Sequence, residues 1–214
     1  MAVQDPQPLP TVRLSSDLEK NAALVDVTPL DDRRLLIQSP YTEPDHQLDL
    51  DTLDNENEIL ARALTILTAT RQDYATAPYN DSFNWPEVID ESRRLIKESG
   101  RGFQETIFYI VAFRSQIKPS TDYSHLGQLD KAAHKEAIDS GGFLKYWFGS
   151  PDTDLRNLAT CVWTSRDHAF AGGRGPAHRK AAHSTRALYA EWKIDQHRLT
   201  IGRDAETWSL DPWE

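Results

Sequence analysis

The chain has 214 residues, 27% of them charged and 39% hydrophobic; this is enough length and apolar content to bury a full core, and it excludes a disordered polymer. Its 24 Lys and Arg stand against 33 Asp and Glu, a formal charge of −9, which argues against general nucleic-acid binding while leaving room for a local basic patch. The opening MAVQDPQPLP has neither the basic nor the apolar region of a secretory leader, and no apolar run reaches membrane-spanning length, so a cytoplasmic protein with no membrane partner is expected.

Residues 1–10 carry three prolines and little apolar pattern, as in a loose arm. An extension over 11–103 follows. AALVDVTPL and RRLLIQSP flank the turn Asp31-Asp32 and predict a β-hairpin, and SPYTEPDHQLDLDTLD reads as a surface connector. From Asn55, apolar residues including Ile59, Leu60, Ala63 and Leu64 recur at helical spacing to about Thr70. A second helix is predicted from Asn84, with Pro86 in its first turn and Gly100 ending it, and ATAPYNDSF forms a loop between the two.

Residues 104–203 alternate period in a more telling order. ETIFYIVAFRSQI is apolar at nearly every central position and predicts a strand buried on both faces. Tyr123 to Asp139 is helical in pattern and is stopped by Ser140-Gly141-Gly142; FLKYWFGS and NLATCVWTS then read as an antiparallel pair around PDTDLR. A helical stretch from Arg166 is broken by AGGRGP, and Pro176 restarts a helix whose face takes Ala181, Thr185, Leu188 and Trp192. IDQHRLTIG closes the module and 204–214 is a tail. Strand, helix, strand, strand, helix, strand defines an α+β, ferredoxin-like βαββαβ fold: a four-stranded antiparallel sheet with two helices on one face.

The lone Cys161 can form neither an internal disulfide nor a zinc cluster, and its apolar flanks mark it as a core residue. Nucleophile-elbow, phosphate-loop and dinucleotide signatures are absent, so no metal and no cofactor are expected. Gly172-Gly173-Arg174-Gly175 precedes a helix start and reads either as a flexible break or as an anion site assisted by Arg174 and Arg179. The candidate catalytic residues are His178, on a helix side shared with Tyr189; His134, four residues after a carboxylate, Asp130, that can orient and charge it; and Tyr146. Trp147, Trp163, Arg156, Asn157 and Tyr189 are candidate binding residues. Alternation sends Tyr146 and Phe148 to one sheet face and Trp147 to the other, and these rings fit either core packing or a small-molecule pocket with Arg156 and Asn157 at its rim.

Phe108 to Ile201, above all HKEAIDSGGFLKYWFGSPDTDLRNLATCVWTSRDHA, resembles a fungal protein family with no assigned activity, which implies a fungal source. CVWTS, the next helix with its downstream HR, and LYAEW are similar to dimeric α+β-barrel proteins of the antibiotic-biosynthesis-monooxygenase type. That resemblance implies a homodimer whose sheets meet face to face, unless the extension takes the partner's place. It also implies a range of chemistries: cofactor-independent oxygenases, isomerases, polyketide cyclases and haem enzymes. Three functions follow. The leading one is an enzyme or binding protein for a small, largely apolar metabolite, of the oxygenase, isomerase or cyclase type, in fungal secondary metabolism. The others are a non-catalytic assembly protein and an aminoacyl-tRNA-dependent small-peptide synthase, the last opposed by the acidic balance.

Overall fold

The computed structural model describes residues 34–214. The arm at 1–10 and the first strand of the expected hairpin lie outside them. The second strand is short: β1 (Leu35–Leu36) pairs antiparallel with β2 (Leu48–Asp49). The connector at 39–54, expected on the surface, turns partly inward, with His46 4%, Leu48 6% and Leu50 6% exposed. Every second residue faces the core, the period of an extended chain on a buried surface.

α1 (Asn55–Ala63) starts where the Asp54 carboxylate accepts the Asn57 N–H at 3.0 Å. It ends in a 3-10 turn at Leu64–Ile66, short of the expected Thr70. Asn84 explains the early stop, because its side chain accepts from Thr68 N at 2.8 Å and donates to the Ile66 carbonyl at 3.1 Å, replacing the helical partners. Within the expected loop, α2 (Tyr79–Ser82) buries Tyr79 and Ser82. α3 (Trp85–Ser99) has Pro86 in its first turn and ends at Gly100, whose φ of 62° is left-handed and suits glycine.

The module follows as β3 (Thr106–Ile117), α4 (Tyr123–Ser140), β4 (Phe143–Phe148), β5 (Arg156–Trp163), α5 (Arg166–Gly172), α6 (Pro176–Leu188) and β6 (Tyr189–Ile201). The tail adds β7 (Trp208–Pro212), so the sheet has five strands in the order β4-β5-β3-β6-β7, all antiparallel. Without β7 this is the ferredoxin-like order. Trp192, expected on the last helix, lies on β6 opposite Ser115, because the β3–β6 ladder runs to Tyr189 and overrides the helical spacing.

Phe108, Ile110 and Ala112 point to one sheet face. There they join Leu144, Leu158 and Val162 in a core with Ile59, Leu60 and Leu64 from α1 and its 3-10 turn and Trp85, Val88 and Ile89 from α3. Tyr109 points to the other face, with Phe143, Cys161, Trp163 and Ala137 of α4. The extension therefore covers the face on which a partner subunit was expected. Arg114 fastens it there, donating to the carbonyls of Ala75 at 2.6 Å and Ala77 at 2.8 Å and to Asp195 at 3.0 Å.

Candidate functional site

Tyr146 leaves β4 on the face covered by α4–α6, and its hydroxyl donates to Asp130 Oδ1 at 2.5 Å. From the segment after β1, the Tyr41 hydroxyl donates to Asp130 Oδ2, also at 2.5 Å. Burial raises the Asp130 pKa, and the two phenol hydrogen bonds offset part of that rise. Tyr146 and Tyr41 are pushed well above the usual phenol range by burial first and by the Asp130 charge second.

One turn along α4, His134 is 4% exposed. Its Nδ1 lies 2.9 Å from Nδ1 of His46, and its ring meets those of Tyr41 at 5.0 Å, Phe143 at 5.3 Å and Tyr146 at 5.5 Å. One nitrogen must donate and the other accept, so the shared contact holds a single proton. His134 Nε2 is buried without a hydrogen-bond partner. Burial, reinforced by His46, pushes His134 down to about 3. The expectation that Asp130 orients and charges His134 is corrected here: both carboxylate oxygens accept from phenols, and His134 stays neutral against His46.

His178 occupies the first turn of α6, its Nδ1 2.8 Å from Glu136 Oε1. Glu136 also accepts the N–H groups of Ala177 at 2.8 Å and His178 at 3.3 Å. Burial works against its charge, but these hydrogen bonds hold its pKa below the usual value. The anion at this helix start is thus the chain's own. Gly175 makes room for it, since a Cβ there would lie 1.9 Å from Glu136 Cδ. His178 is also close enough to Asp130 to favour its charged form. Tyr189 is half-buried, its phenol pushed up to about 12 by burial and the Asp130 charge. The Cys161 thiol is pushed up to about 12, chiefly by burial, and is unreactive near neutral pH.

Of the residues singled out from sequence, His134, Tyr146, His178 and Tyr189 gather around Asp130. Trp163 is 3% exposed on the same face, its ring 4.7 Å from Phe143. Trp147 packs on the opposite face against Phe83 at 4.9 Å and Tyr74 at 5.3 Å. Arg156 pairs with Glu191 at 2.7 Å, and Asn157 Oδ1 accepts the Leu158 N–H at 2.8 Å. These two sit five and four residues from Cys161, the register partner of Tyr146, hence roughly 13–17 Å along β5 from the cluster. Tyr41 and His46 were missed. The alternation of His46, Leu48 and Leu50 was a usable signal for the histidine; Tyr41 carried none. Among the described residues no group of three or more His, Cys, Asp and Glu is placed to hold a metal ion, and no helix is long and apolar enough to cross a membrane.

Fold and site together define a ferredoxin-like α+β protein whose sheet is closed on one face by its own extension and holds a buried carboxylate–phenol–imidazole cluster on the other. The chain belongs to the PB2B2.08-like family, whose model matches residues 37–212. It is 38% identical over 187 residues to the UPF0643 protein PB2B2.08 of Schizosaccharomyces pombe, covering 82% of this chain and 83% of that one. Among solved structures, Rv0793 of Mycobacterium tuberculosis is similar over 42% of this chain and 91% of its own, at 14% identity and a TM-score of 0.38. SnoaB of Streptomyces nogalater, a cofactor-independent oxygenase, is similar over 44% of this chain and 90% of its own, at 16% identity and a TM-score of 0.34. The fold stated above rests on this chain's own strand order.

Proposed function

We propose that the protein binds a small, largely apolar molecule at the Asp130 cluster and moves a proton on it, as a cofactor-independent oxygenase, isomerase or cyclase does. The observation that supports this reading is the Asp130 carboxylate, enclosed by Tyr146 and Tyr41 and raised in pKa by burial. Such a carboxyl can take a proton from a weakly acidic C–H or O–H and return it, while a phenol O–H faces the charge that develops. His134 and Phe143 supply apolar walls, and His178, oriented by Glu136, stands on the α6 side. The ligand reaches Asp130 by displacing Tyr41. In this reading α1–α3 stand in for a second subunit.

Titration with 1-naphthol, followed by tryptophan fluorescence, tests the site. Saturable binding is expected, tighter in Tyr41→Ala and at least about tenfold weaker in Asp130→Asn, the usual consequence of losing a hydrogen bond to a charged group. A Tyr41→Ala protein with an intact melting transition and no binding would reject the site. Binding without proton exchange would favour the non-catalytic alternative.

A second reading, a synthase that takes an acyl group from aminoacyl-tRNA, is supported by a different observation. Between Arg166 and Leu188 the chain has five cations, Arg166, Arg174, Arg179, Lys180 and Arg186, all exposed, and one acidic residue, Asp167. This is the local basic patch that the net charge of −9 left room for. Incubation with labelled aminoacyl-tRNA tests it: the aminoacyl ester should break, the amine of a second aminoacyl group should form the new amide, and free tRNA should leave. Deacylation no faster than in buffer would reject it.

A further inference from the structure

Arg198 and Tyr109 are register partners on β6 and β3, so their side chains stand beside each other on the sheet face that carries the helices. The Arg198 guanidinium lies 4.9 Å from the ring centroid of Trp213, and Trp213 meets Tyr109 edge-on at 4.9 Å. The Trp213 backbone is held in place by its amide N–H, which donates to the Gln196 carbonyl at 2.9 Å. Arg166 of α5 lies close enough to Tyr109 to offset part of the rise that burial gives its phenol pKa. The Arg166 guanidinium is 4.7 Å from the centroid of Phe170, and Arg174, in the glycine-rich break, reaches the same ring at 5.6 Å. The result is one row of three guanidiniums and three rings in the order Arg198, Trp213, Tyr109, Arg166, Phe170 and Arg174, in which Tyr109 is 2% exposed and the other five are half-exposed or exposed.

Three features make this row a surface for a ligand. None of the three guanidiniums has a carboxylate partner among the described residues. The nearby acids are Asp167 on the rim, Asp211 and Glu214, and Asp211 accepts from Ser209 at 2.7 Å instead. Arg198 Nε is enclosed with no hydrogen-bond partner. Phe170 is 39% exposed, and an open groove of about 410 Å³ runs along it, lined by Arg166, Asp167, Phe170, Ala171 and Arg174. Cations spaced by rings are suited to a polyanion that also carries flat apolar groups, since phosphates pair with the guanidiniums and bases stack on rings or guanidinium planes.

We infer that this row docks a single-stranded RNA segment, a few nucleotides long. The inference deepens the second reading above and rests on it for the choice of RNA; it is independent of the Asp130 chemistry. The experiment is fluorescence anisotropy of the full chain with a fluorescein-labelled single-stranded RNA 12-mer, repeated with its duplex and with tRNA, from 50 to 200 mM salt. The single strand should bind, with a slope of log K against log salt of about −2, as three phosphate contacts give. The Arg166→Gln/Arg174→Gln double variant should flatten that slope to about −0.7. Phe170→Ala should weaken binding by about fivefold or more with the slope kept. The three residues changed, Arg166, Arg174 and Phe170, are all exposed, and melting curves check that the variants fold. Wild-type binding of RNA that the row variants leave unchanged would overturn the row and spare the synthase reading. Binding lost in the row variants, with no deacylation of aminoacyl-tRNA, would keep the row and remove that reading. No binding of any RNA by the wild type would overturn the inference.

Discussion

The His46–His134 contact makes a quantitative demand on how stability varies with pH. His134 is buried and neutral, its pKa pushed down to about 3, whereas in the unfolded chain it titrates at about 6.5. As pH falls below 6.5 the unfolded state takes up a proton that the folded state refuses, so this histidine's contribution to stability is full above 6.5 and is lost as pH falls towards 3. Between pH 7.5 and 5.0 the loss integrates to about 2 kcal/mol. His197 is also buried with a lowered pKa, and burial raises Asp130, so the single-residue effect must be read as a difference. Urea unfolding of the wild type and of His134→Gln at both pH values supplies it. The wild type should lose about 2 kcal/mol more than the variant over that interval. Equal losses would show that His134 takes up its proton in the folded protein, and its buried neutral state would be refuted.

Lys145 is 7% exposed, and burial pushes its pKa down to about 8. Its penalty is full below that value and is relieved as pH rises from 8 towards 10.5, so Lys145→Met should stabilise the fold at pH 7 by up to about 3 kcal/mol and abolish the gain on raising pH; a destabilised variant in chemical denaturation would contradict this. Gly175→Ala should lower the melting temperature by several degrees, because its Cβ would meet the Glu136 carboxylate at 1.9 Å and the α6 start would lose its counter-charge; calorimetry showing no change would mean that Glu136 moves freely. Light scattering at micromolar concentration should give a monomer, since α1 and α3 occupy the sheet face available for a face-to-face dimer; a dimer that persists on dilution would count against the substitution of partner by extension.

Periodicity alone determined the module. The near-continuous apolar run at Ile107–Phe113 marked a strand that the fold places centrally, although Ile107 itself is 47% exposed, and the glycine stops at Gly100 and Gly141 marked helix ends that the backbone keeps. Tertiary contacts decided the rest. Trp192 fits a helical face as well as a strand, and only the ladder to β3 settles it. The C-terminal tail became β7 because β6 had an edge to pair, which no local pattern reports. The site divides in the same way. His134, Tyr146 and His178 are residue types that announce chemistry, so they were legible one by one. Their assembly around Asp130 was not, because Tyr41 and His46 come from 88 or more residues away in the chain. A carboxylate's partners are set by which hydroxyls folding brings within hydrogen-bond reach, a relation between distant segments that spacing along the chain does not encode.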